Sequence, residues 1–556
     1  MTTDDPKNLI RRPTVRVAST GQMALFEGPK QAAVRLKPSP ATPKLKFNDP
    51  DPERLAFGDT SLRHYLIKAG LGFAIHTRTL FDELDFSAFE ARYSPGGRPP
   101  YSPRRMVSLI VYAITQGSDS LRAIERIARR DLVALWLTGG VCPDHSTLGR
   151  FIQLHHLELR ESLFEELTRS ILGRLPEANM ELSGDGTIVE AAASRFVRIK
   201  REVAEQRVEE AQKKSEAAPE NPKHRQELEQ AEACVEAIEK RQQARKKSRK
   251  GDPEKVSVNP HEPEAVIHKL KGGTFRFAYI ASILANQQRI IFAQTLHQSD
   301  ECAVMEEHVL QATRILSEVP ERLCLDSGYF VGAIIKMACS YDLDLLCVPP
   351  EQSHSHRRRR KRRSTRFPKR AFQYDVDTDT YTCPAGQTLT PARPASERDP
   401  TKAAYYETRA CLTCPFREQC TTSPRPRRIR REPNDEYFEA MREVMSQPGA
   451  QKAYQQRQVS VEPVFAELKG VQGLNRFRRR GLQGTSVEFA LHAMAHNLRR
   501  MWVLLGLLKA SLCPYFALSG LLNANWRAPS RVHSRVRPNF GLYRQRLTPS
   551  YLRSSC

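Results

Sequence analysis

The segment VSVEPVFAELKG at residues 459–470 places an acid, Glu462, on a predicted helix with an apolar face, and Lys469 lies two turns later. The segment RFRRRG follows at residues 476–481 and adds a cluster of arginines. Many surface helices carry such a pattern, and Glu467, one turn past Glu462, is predicted to be an ordinary surface residue. The pattern gains meaning only if isolated acids also occur on strand-like segments upstream.

The composition is that of a basic protein with enough apolar residues to form real cores. The 556 residues contain 87 Lys and Arg against 63 Asp and Glu, a net charge of +24, which favours a polyanionic partner. The N-terminus lacks an apolar signal segment and the 12 cysteines are scattered, so we predict a cytoplasmic protein with reduced thiols. The longest apolar run, at residues 501–508, is too short to span a bilayer, so no membrane partner is predicted.

The first part of the chain predicts a basic arm followed by helices. Residues 1–55 are rich in Pro, Lys and Arg and predict a disordered arm. Residues 56–160 carry apolar residues at helical spacing and predict an N-terminal helical domain. Short helices after the turn signals at residues 117–120 and 139–146 suit a helix-turn-helix DNA-binding unit. A helical cap packed on the next domain explains the same pattern equally well.

Two acids lie on strand-like segments further along the chain. Asp185 lies between two glycines in the strand-like segment 180–194, and Asp326 ends the short apolar strand RLCL. Other predicted strands and helices alternate around them: strands at 274–283, 289–296 and 343–349, and helices at 299–316 and 331–339. This order predicts an α/β catalytic domain, divided between residues 161–350 and 434–510.

Insertions and a tail complete the predicted organisation. Residues 196–250 hold Lys, Arg, Glu, Gln and Ala at helical spacing and predict a charged helical hairpin. We interpret this hairpin as a solvated spacer, and contact with nucleic acid or a second protomer is the alternative. Residues 351–433 predict a basic, cysteine-rich insertion, and residues 511–556 predict a basic, loop-like tail.

The cysteine-rich insertion contains two features with chemical meaning. Seven consecutive cations at residues 357–363 predict contact with phosphate, and a flexible loop is the alternative. A CxxC with a third cysteine six residues later and one upstream is typical of a structural four-thiolate Zn²⁺ site, here in a small zinc-ribbon-like unit. Four reduced structural cysteines are the alternative. The predicted zinc ligands are Cys383, Cys411, Cys414 and Cys420.

Asp185, Asp326 and Glu462 thus occur in the order strand, strand, helix. That order brings their carboxylates to one edge of an RNase H-like mixed sheet flanked by helices. Clustered carboxylates repel each other unless cations neutralise them, and Mg²⁺ prefers oxygen ligands. Two such ions (Mg²⁺ or Mn²⁺), about 3.5–4 Å apart, would assist an in-line displacement at phosphorus. The three acids therefore predict a catalytic two-metal site.

Four short motifs surround these acids: Asp185-Gly186-Thr187, Asp326-x-Gly328-Tyr329, Tyr454-x-x-Arg457 and Glu462-x₆-Lys469. Together they resemble the DDE transposases of bacterial insertion sequences. The resemblance spans residues 60–505, including the helical N-terminal region, the cysteine-bearing insertion and the segment AHNLRR at residues 495–500. In the related tyrosine-arginine-glutamate-lysine signature the gap between arginine and glutamate is usually one residue shorter, so Arg457 departs from that pattern.

The resemblance implies a DNA transposase that binds the terminal inverted repeats of its element. It would cleave phosphodiester bonds with two Mg²⁺ ions at Asp185, Asp326 and Glu462, join the 3′-OH end to target DNA, and act as a homodimer. An RNase H-like nuclease without strand transfer and a non-catalytic DNA-binding protein derived from a transposon are the alternatives. The predicted DNA-binding residues are Tyr454, Arg457, Lys469, Arg476, Arg478, Arg479, Arg480, Arg357, Arg358, Arg359, Arg360 and Lys361.

Overall fold

A computed structural model describes the chain over residues 45–175, 180–194, 196–248, 252–270, 272–299, 301–352, 366–393, 403–433 and 435–508. The predicted basic arm as far as residue 44, the cationic run that includes Arg357, Arg358, Arg359, Arg360 and Lys361, and the predicted tail at 511–556 lie outside these residues. The chain divides after Leu45 into two units, and the following description concerns the second.

Helices form most of the region before the first long strand. Ser120, Asp131 and Asp144 each cap a helix by accepting a hydrogen bond from a backbone N–H in its first turn, as short polar side chains do at helix N-termini. The helices of this region are α1 Leu62–Lys68, α2 Phe73–Glu83, α3 Ser87–Glu90, α4 Pro103–Thr115, α5 Leu121–Arg130, α6 Leu132–Thr138, α7 His145–Leu154, α8 His156–Arg160 and α9 Ser162–Leu172.

The later helices are interleaved with the strands. The charged stretch predicted as a hairpin forms α10 and α11, which pack along each other. The later helices are α10 Arg201–Ala217, α11 Pro222–Ser248, α12 Met305–Leu316, α13 Gly332–Ser340, α14 Arg417–Cys420, α15 Asp435–Ser446, α16 Pro448–Gly470 and α17 Gly481–Leu504.

The strands form three sheets among the described residues: a two-stranded ribbon, a six-stranded mixed sheet and a small five-stranded antiparallel sheet. The ribbon consists of β1 Ala56–Phe57 and β2 Thr60–Ser61. The mixed sheet consists of β3 Glu181–Glu190, β4 Val266–Lys269, β5 Phe275–Asn286, β6 Ile291–His297, β7 Arg322–Leu325 and β8 Asp344–Cys347. The small sheet consists of β9 Gln373–Asp375, β10 Thr380–Thr382, β11 Thr388–Arg393, β12 Ala404–Glu407 and β13 Ile429–Arg431.

The mixed sheet is antiparallel on one side of β3 and parallel on the other. β5 runs antiparallel to β3, and its far edge pairs antiparallel with β4 and with β6. β7 and β8 follow on the other side of β3, both parallel to it. Residues 277–286 of β5 are all buried, as expected of a central strand that is apolar on both faces. An α/β class with a mixed sheet flanked by helices is therefore confirmed.

Two boundaries differ from the predicted ones. β4 is a short edge strand that was not predicted, because four residues give too little alternation to recognise. The helix predicted to begin near Ser299 begins at Met305, and residues 301–304 form bends and turns instead. Asp300, at the start of the predicted helix, lies outside the described residues.

The helical region shares one core with the sheet. One apolar cluster contains buried residues of both the helical region and the mixed sheet, with Leu62 as its first and Trp502 as its last member. The indole N–H of Trp502 donates to Thr77 Oγ1 at 2.9 Å. Helix α17 packs on α4, α8 and α9 as well as on β6. The predicted cap packed on the next domain is therefore present, while a DNA-binding role of helices α5–α7 stays a prediction.

Asn497 ties the final helix to the edge of the mixed sheet. Its Oδ1 accepts a hydrogen bond from Ile291 N (2.8 Å), and its Nδ2 donates to Ile291 O (2.8 Å) and to Thr168 Oγ1 (3.1 Å). The pairing between β5 and β6 shifts register beside Ile291, and the Asn497 amide provides partners for both backbone groups of Ile291.

We expect Asn497→Ala to lower the free energy of unfolding by about 2–4 kcal/mol, because each buried polar group left without a partner costs about 1–3 kcal/mol. Urea denaturation followed by circular dichroism measures the change. Gln483→Ala, at an exposed position of the same helix, is the matched control and should leave stability nearly unchanged. Equal stability of Asn497→Ala and the wild type would contradict this role.

None of the helices in the described ranges is both long enough and apolar enough to cross a bilayer.

Candidate active site

Asp185 and Asp326 lie opposite each other on neighbouring parallel strands. Ser183 of β3 pairs with Cys324 of β7. Asp185 and Asp326 each follow two residues later, so the parallel register places them side by side. Asp326 follows the last residue of β7 and caps a short turn by accepting a hydrogen bond from Gly328 N at 2.7 Å. The strand register therefore places both acids at one point of the sheet.

Arg457 of α16 reaches between these two acids. Its Nη2 lies 3.2 Å from an Asp185 oxygen and 4.0 Å from an Asp326 oxygen, and its Nε and Nη2 donate to Gly184 O at 3.3 and 3.2 Å. Only 8% of Arg457 is exposed. The sequence predicted an arginine that contacts DNA phosphate, whereas the structure places this guanidinium among carboxylates. The phosphate contact is untested.

Glu462 lies on the same helix, and its charge affects the pKa of Asp185. Burial raises the pKa of Asp185, Arg457 lowers it, and the charges of Asp326 and Glu462 raise it further. Glu462 itself is exposed. Pro463 follows it, and because proline has no N–H, the carbonyl of Val459 lacks its usual helical donor. Arg289 Nε donates to that carbonyl at 3.3 Å, which stabilises the helix next to Glu462.

Glu467 is not the surface residue that the sequence predicted. One of its oxygens lies 3.3 Å from His496 Nδ1 and 3.7 Å from Arg499 Nε of α17. Burial alone would raise the pKa of Glu467, but His496 and Arg499 bring it below its usual value. The prediction was wrong because spacing within one helix does not show which other helix packs against it. The pairing of Glu467 with α17 leaves Glu462 as the acid of α16 that faces the site.

A fourth acid, Glu301, was missed by the sequence interpretation. Burial raises its pKa, the Tyr329 hydroxyl lowers it, and the charges of Asp185 and Asp326 raise it. Glu301 lies in the turn before α12, among the first residues of the helix predicted at 299–316. An acid in a predicted helix start has an ordinary explanation, so the sequence held no signal that distinguished it.

Tyr454 and Lys469 lie on either side of Glu462 along α16. Burial raises the pKa of Tyr454 to about 12, and Asp326 and Arg457 are among its charged neighbours. Lys469 Nζ donates to the carbonyl of Ile188 on β3 at 2.9 Å. Lys469 therefore contacts the strand that carries Asp185, and Tyr454 lies near Asp326.

The arginines after α16 differ in their surroundings. Arg476 donates to the carbonyls of Ala191 and Ala192, and burial lowers the pKa of Arg479. Arg480 is exposed. A cavity of about 500 Å³ adjoins this segment, and the residues that line it include His261, Phe196, Arg276, Arg476 and Arg480.

Arg478 belongs to a cluster that the sequence did not reveal. Asp119, Glu488 and His492 bring potential ligand atoms within 4.8 Å of one another. Arg478 Nε lies 2.7 Å from an Asp119 oxygen, and both Glu488 oxygens accept backbone hydrogen bonds from Arg478 or Arg479. These contacts already satisfy the two carboxylates. The cluster therefore links the turn before α5 to the arginine segment.

The four predicted zinc ligands converge. Cys383, Cys411, Cys414 and Cys420 all line one cavity of about 20 Å³ beside the small five-stranded sheet. Burial raises the pKa of the Cys420 thiol, and charges on the other three cysteines would raise it further. None of the four forms a disulfide.

Two sequence families match the chain. Residues 382–502 match a family described as a transposase DDE domain, and residues 74–154 match a family described as a transposase domain. The first match contains the four cysteines and the α16 residues Tyr454, Arg457, Glu462 and Lys469, and the second lies in the helical region. No curated protein matches the chain. These two matches support a DDE transposase of an insertion element.

Proposed function

We propose that the protein cleaves DNA at the ends of its own element and joins the freed 3′-OH ends to target DNA. The observation that carries this proposal is that Asp185 and Asp326 share the Arg457 guanidinium, while the charge of Glu462 acts on Asp185. These acids come from two strands and one helix that are far apart in sequence. An accidental surface cluster would not need a buried arginine to hold it together.

An RNase H-like assignment of the catalytic domain is part of the proposal. Three antiparallel strands (β3, β5 and β6) followed by two parallel strands (β7 and β8) support it. In this arrangement the first acid lies on the central strand and the second follows the next parallel strand. The third acid lies on a helix packed across both strands, as α16 is on β3 and β7.

The acid cluster fits divalent cations. Its donors are carboxylate oxygens, the ligand type that Mg²⁺ and Mn²⁺ prefer, and Arg457 is the one cation that forms an ion pair with the triad among the described residues. Asp185, Asp326 and Glu462 would hold two Mg²⁺ (or Mn²⁺) ions. When bound, these ions activate the attacking oxygen and stabilise the leaving oxygen of an in-line displacement.

The chemistry is two successive displacements at phosphorus. In cleavage, a water oxygen bonds to phosphorus, the bond to the 3′ oxygen breaks, and a proton from water ends on that oxygen. The products are a 3′-OH and a 5′-phosphate. In joining, the 3′-OH oxygen bonds to a target phosphorus, and the displaced target 3′ oxygen takes the proton. Asp185 and Asp326 contribute a fixed geometry, because their strands and Arg457 restrain them before DNA arrives.

The DNA surface is proposed to run from α16 past the arginine segment. Lys469 and Tyr454 flank Glu462, and Arg480 with Arg276 presents positive charge at the adjoining cavity. Such side chains contact backbone phosphates and fix register without reading sequence. A homodimer is proposed for the active complex, because two element ends must be joined together.

The cysteine cluster is proposed to hold a structural Zn²⁺ ion. Four thiolates complete the coordination of zinc and leave no open position for catalysis. Because the small sheet has a core of only six buried residues, a metal link would contribute much of its stability.

We expect the purified protein to contain about one zinc per chain, the stoichiometry of a four-thiolate site. Cys414→Ser should lose that zinc and loosen the small sheet, because three thiolates bind the ion more weakly. Plasma mass spectrometry measures the metal, and limited proteolysis within residues 366–433 measures the loosening. Cys339→Ser, an exposed cysteine outside the cluster, should keep the zinc. Wild-type protein without zinc would favour four reduced structural cysteines.

Element-end DNA provides the test of the proposed function. A labelled duplex that carries the terminal inverted repeat, mixed with a supercoiled plasmid and Mg²⁺, should yield both cleaved ends and plasmid with joined ends. Cleavage without joining would favour the nuclease. Binding without cleavage in Mg²⁺ or Mn²⁺ would favour a non-catalytic DNA-binding protein.

A further inference from the structure

Glu301 is held against the strand that carries Asp185. A Cβ atom added to Gly186 would lie 2.8 Å from a Glu301 carboxylate oxygen and 3.1 Å from Ser282 Oγ. A Cβ atom at this position would therefore displace the Glu301 carboxylate from its place beside Asp185. The turn at residues 301–304 delays the start of α12 until Met305 and brings Glu301 to this position.

The surroundings of Glu301 are unlike those of a structural ion pair. The charges of two carboxylates, Asp185 and Asp326, act on it more strongly than the charge of Arg457. In the described part of the chain, Glu301 forms no ion pair with a lysine or arginine. The next acids along the chain differ: Glu306 accepts a hydrogen bond from Tyr341 (3.0 Å), and Glu307 pairs with Arg314 (3.1 Å).

Tyr329 provides a second, independent observation at the same place. It lies three residues after Asp326, is 1% exposed, and its hydroxyl is directed at Glu301 closely enough to lower the pKa of that carboxyl. No hydrogen bond of ordinary geometry satisfies this hydroxyl among the described residues. A buried hydroxyl costs about 1–3 kcal/mol when it is left without a partner. A small shift of the Glu301 carboxylate on contact with a ligand would give this hydroxyl the partner that it lacks.

We propose that Glu301 is a fourth carboxylate of the divalent-cation site and binds the metal together with Asp185 and Asp326. Tyr329 then acts as a positioning residue that orients the Glu301 carboxylate. Asp185, Asp326 and Glu301 lie around one arginine and Glu462 adds a further negative charge, a surplus that divalent cations neutralise. The assignment rests on the proposed function, since it adds a ligand to the same site.

Mn²⁺ binding without DNA tests the proposal separately from catalysis. Isothermal titration calorimetry with full-length protein should show at least about tenfold weaker Mn²⁺ binding for Glu301→Gln, since even residues that only support metal ligands change affinity by about 10–100-fold. Glu307→Gln, which removes a carboxylate that pairs with Arg314 of α12, is the matched control and should bind Mn²⁺ like the wild type. Circular dichroism checks that each variant is folded. If Glu301→Gln does not fold, Glu301→Ala is measured against the same criterion.

Two outcomes separate this inference from the proposed function. If Asp185→Asn abolishes Mn²⁺ binding while Glu301→Gln binds like the wild type, the fourth ligand is ruled out and the proposed function stands. If Asp185→Asn also keeps wild-type Mn²⁺ binding and cleavage, the proposed function itself fails. Weaker binding in both variants, with a higher Mg²⁺ concentration needed for cleavage by Glu301→Gln, supports both.

Discussion

Asp185→Asn is expected to abolish strand cleavage while DNA binding survives. Asparagine keeps the shape of the side chain but removes the negative charge that a divalent cation needs. The loss should exceed about 10³-fold, because even the removal of one stabilising hydrogen-bond donor at an active site costs about 10²–10³-fold. DNA affinity should change little, since it depends on cationic side chains. A cleavage assay on labelled element ends and a gel-shift assay on the same duplex measure the two properties.

Stability measurements keep this result from being mistaken for unfolding. The folded state raises the pKa of Asp185, mainly through burial, so ionising it at neutral pH costs folding free energy. The neutral amide avoids that cost, and without metal the variant should be at least as stable as the wild type. Glu181→Gln, on the same strand, removes an acid that pairs with Arg322 at 2.5 Å and should retain cleavage. Cleavage by Asp185→Asn at the wild-type rate would refute the assignment of the triad.

Arg457→Ala is expected to destabilise the protein strongly, and Mg²⁺ should reverse much of this effect. The substitution leaves Asp185 and Asp326 without their cation and Gly184 O without its donors. Breaking a buried ion pair in this way costs about 3–5 kcal/mol. Divalent cations compensate for the same negative charges, so the gain in stability from Mg²⁺ should be larger in the variant than in the wild type. Chemical denaturation in EDTA and in Mg²⁺ measures both values.

An exposed arginine provides the comparison. Arg129 forms a 2.7 Å ion pair with Glu125 one turn earlier on α5, with 58% of its side chain exposed. Arg129→Ala should leave stability nearly unchanged in either buffer, because exposed ion pairs contribute little. If Arg457→Ala unfolded at the wild-type denaturant concentration in EDTA, the guanidinium would not be what holds the acids together.

The sequence distinguishes the three proposed catalytic acids because each has a local signature. Asp185 lies between glycines on a strand, and Asp326 ends a short apolar strand before a turn. Glu462 is followed seven residues later by a lysine on one helix. The cysteine spacing likewise indicated a cluster, and all four cysteines line one cavity. Local periodicity and spacing are properties of neighbouring residues, so the sequence alone determines them.

Contacts between distant segments were decided by the tertiary structure. Arg457 donates to Gly184 O across 273 residues of sequence, which makes it a partner of the acids as well as a candidate phosphate contact. Glu301 reaches the site only because a turn replaces the first residues of the predicted helix, and Glu467 is half-buried because it pairs with His496 and Arg499 of α17. The acids, the basic character and the cysteine cluster were thus determined by the sequence itself. Which charges face each other was decided by the folded chain, because charge–charge contacts depend on distances that a local pattern does not encode.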